Sequence, residues 1–417
     1  MSFQQGLSGL NATSKNLEVI GNNIANANTF GSKVARAEFS DMYANAISGG
    51  GSSNIGIGTQ LSTVAQQFTQ GNISTTENPM DLAIKGNGFF QLTDGQNPIV
   101  YSRNGQFKVD RDGFVVSNSG LKLMGYAADN KGVIQPGQAV TLQLPTSGVD
   151  PSPTTTVALE MNLDSRKAIT APAAAPLIDF NDATTYNNAT SLTVYDAKGQ
   201  EVPVTYYFQK SGTDTWEVFA TADGATIGGT PADPQPITTI TFAPDGSAPT
   251  APAAPVAFTI NLPDNAAPAD TLDLTLDLSA ATQFGSGFGV TDQRQDGFSA
   301  GELTSIMVES NGIVMARYSN GQSRPAGQVE LATFRNAQGL QPVGDNGWGR
   351  TYASGDPITG MPDDAGLGVL QSGALEESNI DLTGELVNMI TAQRIYQANA
   401  QTIKTQDQVL QTLVNLR

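Results

Sequence analysis

Apolar residues at the two ends of the chain follow a different period from those in the middle. Phe3, Leu10, Leu17 and Ile24 stand seven apart, with Leu7, Ser14 and Gly21 at the intervening places, a heptad stripe that predicts one helix from about 3 to 28. At the other end Leu386, Met389, Gln393, Tyr396, Ala400, Ile403, Asp407, Leu410 and Val414 alternate steps of three and four. They predict a helix from about 379 to 416, with Ser378 or Asn379 as its N-cap. At 1.5 Å per residue the two would be roughly 39 and 57 Å long. A narrow stripe has to be covered by another helix, and each is the other's simplest partner. A helical cap on a globular core is the plainer alternative. Gly21, Ser14, Gln393 and Asp407 at seam places make such a pair marginal alone and stronger beside copies of itself.

Between the helices the period falls to two. Gln106-Phe107-Lys108-Val109-Asp110 and the run Thr271 to Leu278 alternate as strands do, and Asn104-Gly105, Asp112-Gly113, Lys198-Gly199, Asp223-Gly224, Asp245-Gly246, Asn311-Gly312 and Asn320-Gly321 mark turns. Residues 148–284 hold 14 of the 22 prolines, with 4 basic and 16 acidic side chains, and read as a separate acidic β domain. The resulting fold class is multi-domain: α-helical coiled-coil termini paired with each other, plus two mainly-β domains nested as insertions. The terminal coiled-coil helices would occupy 1–30 and 379–417, and connecting segments 31–71 and 373–378. The host β domain would occupy 72–147 and 285–372, and the inserted acidic β domain 148–284.

Charge sharpens this division. The net charge is −18, but both helical ends are nearly neutral, so the interior carries the acid and makes nucleic acid and anionic lipid poor partners. No run of 18 apolar residues predicts membrane insertion. The first residues lack the basic and apolar regions of a cleaved signal peptide, while the composition is that of an exported surface protein.

With no histidine and no cysteine, standard serine triads, thiol chemistry, zinc sites and disulfides are excluded. The acidic pairs Asp110/Asp112, Asp363/Asp364 and Glu376/Glu377 are what remains for acid and base work, as in a two-carboxylate glycosidase, but the first sits in what reads as a hairpin turn. No acidic run has the calcium-loop spacing. Gly285-Ser286-Gly287-Phe288-Gly289 lacks the flanks of a phosphate loop and reads as a domain-crossing linker. The chain is expected to be no enzyme, with no catalytic, metal or cofactor site.

Three stretches in order carry a resemblance. Asn22-Asn23-Ile24-Ala25-Asn26 opens the first. Asp81 to Phe90, with Gly86, Gly88, Phe89 and Phe90, followed by Tyr101 to Phe107, is the second. The third is Gly373 to Leu382, with Ser378, Asn379 and Asp381, then Ala392 to Asn399. Together they resemble the flagellar rod and hook family of bacterial axial proteins, with one departure at Ser32, where an aromatic residue commonly stands. The acidic insert makes the chain similar to the family's longer, hook-forming members.

The resemblance implies a structural subunit of a flexible, curved helical tube that transmits motor torque from rod to filament and serves as a channel for later subunits. A distal rod subunit is the near alternative, and an extracellular β-rich adhesin the remote one. It implies as partners other copies of itself, the hook cap, the distal rod, the hook–filament junction protein and the flagellar type III export apparatus. It also implies an extracellular place in the flagellum, reached without a cleaved signal. Phe39 and Tyr43 fit the family's export-gate element, with packing in a connecting segment as the ordinary alternative. Phe3, Leu7, Leu10, Leu17, Ile24, Leu386, Met389, Tyr396, Ala400, Ile403, Leu410 and Val414 form the expected assembly seam. Gln397, Gln401, Gln408 and Asn415 are candidates to line the channel with uncharged polar groups, unless they bond neighbouring helices instead.

Overall fold

The computed structural model describes residues 2–43, 56–129, 132–145, 147–172, 175–262, 271–364 and 366–415. The chain divides into two compact units. Unit 1 comprises 1–146, 304–317 and 323–417, and unit 2 comprises 147–303 with 318–322.

Unit 1 begins and ends with a helix, α1 (Ser2–Ala25) and α2 (Leu382–Asn415). The cap of α2 is Asp381 rather than Ser378 or Asn379, since its Oδ1 accepts the Thr383 N–H at 3.1 Å. An antiparallel ribbon, Ala35–Tyr43 with Gly56–Gln66, follows α1. Gln5 Nε2 donates to the Gly56 carbonyl at 2.6 Å, and Asn23 closes a two-bond ring with the Ala35 backbone, so α1 lies along the ribbon.

The body of unit 1 is a mixed-length sheet in which Ser323–Val329, Lys122–Ala127, Phe89–Thr93, Val100–Ser102, Gly347–Gly349 and Gln341–Gly344 lie side by side in that order. Successive side chains of a strand point to opposite faces. Phe90 therefore joins Phe107, Leu82, Ile84 and Leu123 in one core, while Phe89 joins Tyr101, Phe334 and Trp348 in another. Asp110-Arg111-Asp112-Gly113 is a turn between Phe107–Val109 and Val115–Ser117, and the Asp110 carboxylate is used up on the N–H groups of Asp112 and Phe114.

Unit 2 stacks two sheets on a shared core. Val256–Asn261, Thr271–Asp277, Thr156–Asn162 and Gly289–Gln295 form one, and Asn188–Tyr195, Glu201–Lys210, Thr215–Ala222, Thr238–Phe242 and Pro249–Ala251 the other. Trp216, Tyr206, Phe208, Val157, Leu159, Leu274 and Leu276 fill the space between. Two sequence expectations need correction here. Residues 285–303, assigned to the host, belong to the insert, because Gly289–Gln295 pairs antiparallel with Thr156–Asn162. Gly285 to Gly289 is therefore no crossing linker but an internal loop, held by Asn162 Nδ2 to the carbonyls of Ser286 and Gly287. The insert leaves and returns at adjacent points, where Val149 and Gly301 exchange backbone hydrogen bonds of 2.8 and 3.1 Å.

Candidate functional site

Three motifs that lie far apart in the sequence meet in unit 1, at the root of the two helices. Gly31 has a φ of +73°, and a Cβ there would come within 2.5 Å of the Asn104 nitrogen, so the turn after α1 can press against the strand end at 103–104 only as glycine. That approach carries Lys33 inward. Its ammonium lies 2.5 Å from Glu376 Oε1 and 2.8 Å from the Thr69 carbonyl, and Arg103 NH1 lies 2.9 Å from Glu376 Oε2. The side chains of Lys33, Arg103 and Glu376 are 1%, 5% and 0% exposed. Arg103 also donates to the Gly86 carbonyl at 2.8 Å, and its guanidinium sits over the Phe89 ring, 5.4 Å from the centroid.

One carboxylate thus serves two cations, and each of the three comes from a different part of the chain. Burial pulls the Lys33 ammonium below its ordinary value, an effect the Glu376 carboxylate opposes and the Arg103 charge reinforces. A second tie is Asn379, whose Oδ1 accepts the Val34 N–H at 2.8 Å while its amide donates to the Gln67 carbonyl and to Thr69. The family-motif residues are therefore joint residues. Asn22 and Asn26 close the end of α1 by bonding each other, and Ser378 accepts the Ile380 N–H. Gly86 and Gly88, at φ +114° and +131°, shape the turn that leads into Phe89 and Phe90.

From this root the helices run antiparallel against each other. Gly6 of α1 faces Ile403, and Gly9 faces Asn399, where an added Cβ would lie 3.1 and 2.9 Å from the opposing side chains. Gly6, Thr13 and Ile20 of α1 and Ala392 of α2 lie on the closed side. The stripe expected to form this contact lies elsewhere. At about 100° per residue, Phe3, Leu7, Leu10, Leu17 and Ile24 are centred roughly 80° round α1 from the Gly6–Gly9–Thr13–Ile20 face. Phe3, Leu7, Leu386, Tyr396 and Leu410 are exposed, and Leu10, Leu17, Ile24, Met389, Ala400 and Ile403 half-buried. Of these only Ile403 faces a residue of the other helix in the contacts above. The in-chain pairing instead uses small residues, because glycine at 6 and 9 brings the two backbones close.

Leu382, Val387 and Ile390 add to the exposed apolar area at the start of α2. Gln397, Gln401 and Gln408 are exposed on α2, and Phe39 is exposed on the ribbon. The side chains of Tyr43, Val414 and Asn415 lie outside the described residues. Sequence reasoning missed the ionic root: Glu376 stood as half of an acidic pair and within the third motif stretch, and it was not joined to Lys33 or Arg103. The available signal was that Arg103 and Glu376 lie inside two of the three motif stretches and Lys33 seven residues beyond the first. Among the described residues no group of three or more acidic side chains could hold a metal ion, and no helix is long and apolar enough to cross a membrane.

Known proteins match along the whole chain. Residues 3–33 match the flagella basal body rod protein family, 83–197 the flagellar hook protein FlgE/F/G D1 domain, 162–298 the flagellar basal body protein FlaE D2 domain, and 371–416 the flagellar basal body rod FlgEFG protein C-terminal family. The flagellar hook protein FlgE of Salmonella typhimurium is 40% identical over 424 residues, covering 100% of both chains, and that of Escherichia coli K12 is 40% identical over 423, again covering 100% of both. The Borreliella burgdorferi flagellar hook protein FlgE is 30% identical, covering 100% of this chain and 99% of its own. The crystal structure of Helicobacter pylori flagellar hook protein FlgE2 shares the fold, with a TM-score of 0.51 at 16% identity over 73% of this chain and 100% of that one. A chain that pairs its two ends at one ionic root, and aligns end to end with these relatives, belongs to the flagellar hook protein FlgE family.

Proposed function

We propose that this chain is the structural subunit of a flagellar hook, in which many copies form a curved helical tube that passes motor torque from rod to filament. The observation that carries the reading is the part of the heptad stripe that the chain's own helix pairing leaves uncovered. Phe3, Leu7, Leu386, Tyr396 and Leu410 remain exposed, although their spacing is that of a helix seam. Neighbouring copies supply the missing helices, so α1 and α2 join an inner coiled-coil layer. The exposed Gln397, Gln401 and Gln408 then face the channel through which later subunits travel, and an uncharged polar lining holds neither apolar nor charged segments in transit.

The acidic unit 2 takes the outer position, where small polar contacts let neighbours slide as the tube bends. Export proceeds through the flagellar type III apparatus, with Phe39 and Tyr43 as its recognition element. The rod below, the cap during growth and the junction protein above are the tube's other partners, and its place is outside the cell. Changing Leu386 and Tyr396 together to lysine tests the reading. It should abolish polymers while leaving the unit 1 β body folded, and polymers indistinguishable from the parent's would refute it. A straight polymer from the unaltered chain would favour a distal rod subunit.

A further inference from the structure

A tyrosine in unit 1 stands free in solvent on a loop that is otherwise tied down. Tyr352 is 104% exposed. Around it Thr351 Oγ1 donates to the Gly339 carbonyl at 2.6 Å and accepts from the Ala353 N–H, the buried Ser354 hydroxyl donates to the Thr351 carbonyl, and Asn336 holds the Ala353 carbonyl. The backbone that carries the ring is fixed, so binding has only the two side-chain torsions of the tyrosine left to restrict. Tyrosines of this kind are favoured as anchors in protein interfaces.

The same unit carries a cleft of about 690 Å³. Leu92, Val100, Leu121 and the exposed Val343 give it an apolar lining, its rim carries Asp94 and Asp345 among asparagines and serines, and no lysine or arginine lines it. The Asp94 carboxylate, bonded by the Gln96 and Asn97 N–H groups, is held down to about 2 and so keeps its charge. Arg350, two residues before the tyrosine, supplies the opposite charge from an exposed pairing with Asp356 that is cheaply exchanged.

The two features lie at opposite ends of one hairpin. Gln341 pairs with Gly349 and Gly344 with Gly347, so the turn at 344–347 lines the cleft while Tyr352 leaves from the far end. At about 3.3 Å per residue these ends are on the order of 10 Å apart. A knob and a cleft on opposite ends of one element repeat head to tail, and such a heterologous contact builds an open helical array rather than a closed dimer.

We infer that Tyr352 of one copy seats in the Leu92–Val100–Leu121–Val343 cleft of the next, with Arg350 meeting the Asp94 and Asp345 rim. The inference rests on the hook-subunit reading and gives it a specific contact between β bodies. The chain has no cysteine, so introduced thiols report alone. Assembled Tyr352→Cys/Val343→Cys protein, treated with a short bismaleimide that replaces the missing ring, should yield a ladder of dimers, trimers and longer chains, and each single variant should yield none. Tyr352→Ala should melt like the parent yet raise the concentration needed for polymerisation at least tenfold. Polymers that give no ladder, a dimer from Tyr352→Cys alone, or an unchanged threshold for Tyr352→Ala would each overturn the contact. Failure of the unaltered chain to polymerise would count against the hook reading itself.

Discussion

Replacing Glu376 by glutamine removes the one negative charge from a buried site that holds two positive ones. The variant keeps the side chain's shape, and the Gly71 N–H that donates to Oε1 at 2.9 Å can still do so. Lys33 and Arg103, buried to 1% and 5% exposure, lose their common counter-ion. Removing one partner of a buried ion pair costs about 3–5 kcal/mol, because the remaining charge stays desolvated. For a unit of this size that corresponds to a fall in melting temperature on the order of 10 °C. Lys33→Met should do much less. It leaves the Arg103–Glu376 pair intact, gives up the bond to the Thr69 carbonyl, and removes a cation that burial already disfavours, for a net loss of about 1–2 kcal/mol. Scanning calorimetry of the full chain, read at the unit 1 transition, tests the ordering. If Lys33→Met proves more damaging than Glu376→Gln, or if Glu376→Gln melts within a degree or two of the parent, the carboxylate is not the node described here.

Alkaline stability separates two buried groups by sign. The folded chain holds Lys33 below 10.5, so it binds fewer protons there than the unfolded chain. Its contribution to stability rises as pH climbs from the lowered value to 10.5, and Lys33→Met should lose that rise. The Tyr126 hydroxyl, pushed up to about 12 by burial and by its bond to Glu330, acts oppositely: stability falls between about 10 and 12, and Tyr126→Phe should lose that fall in urea titrations. Gly31→Ala should destabilise unit 1 by about 2 kcal/mol or more, since it combines a left-handed φ with a backbone clash at Asn104; a melting curve unchanged from the parent would contradict this. Asn379→Ala should leave the β body folded but speed proteolysis within α2, as its ties to Val34, Gln67 and Thr69 are lost. Excising 150–300 and joining the adjacent ends should spare polymerisation and alter curvature, and loss of assembly would make unit 2 a core contact.

The sequence made some of this legible and hid the rest for physical reasons. Periodicity located α1 and α2 to within a few residues, because a heptad stripe over 24 and 34 residues outweighs local noise. The alternation at 271–277 marked a strand whose leucines are buried in turn. The face that α1 turns toward α2 was not legible, since Gly6 and Gly9 carry no hydrophobic signal and declare themselves only through the closeness they permit. The end of the insert was misplaced for a similar reason: the strand Gly289–Gln295 is polar and partly exposed, and only its pairing with Thr156–Asn162 assigns it. The Lys33–Glu376–Arg103 root joins residues up to 343 positions apart, which no local pattern encodes.

Copies are expected to meet at the part of the stripe that the chain's own helix pairing leaves exposed. Electron cryomicroscopy of the assembled protein at side-chain resolution addresses this directly. The expected result is a curved tube whose inner wall is made of α1 and α2, with Leu7, Leu386 and Tyr396 each covered by a helix of a neighbouring copy. A polymer in which those three side chains still face solvent would contradict it.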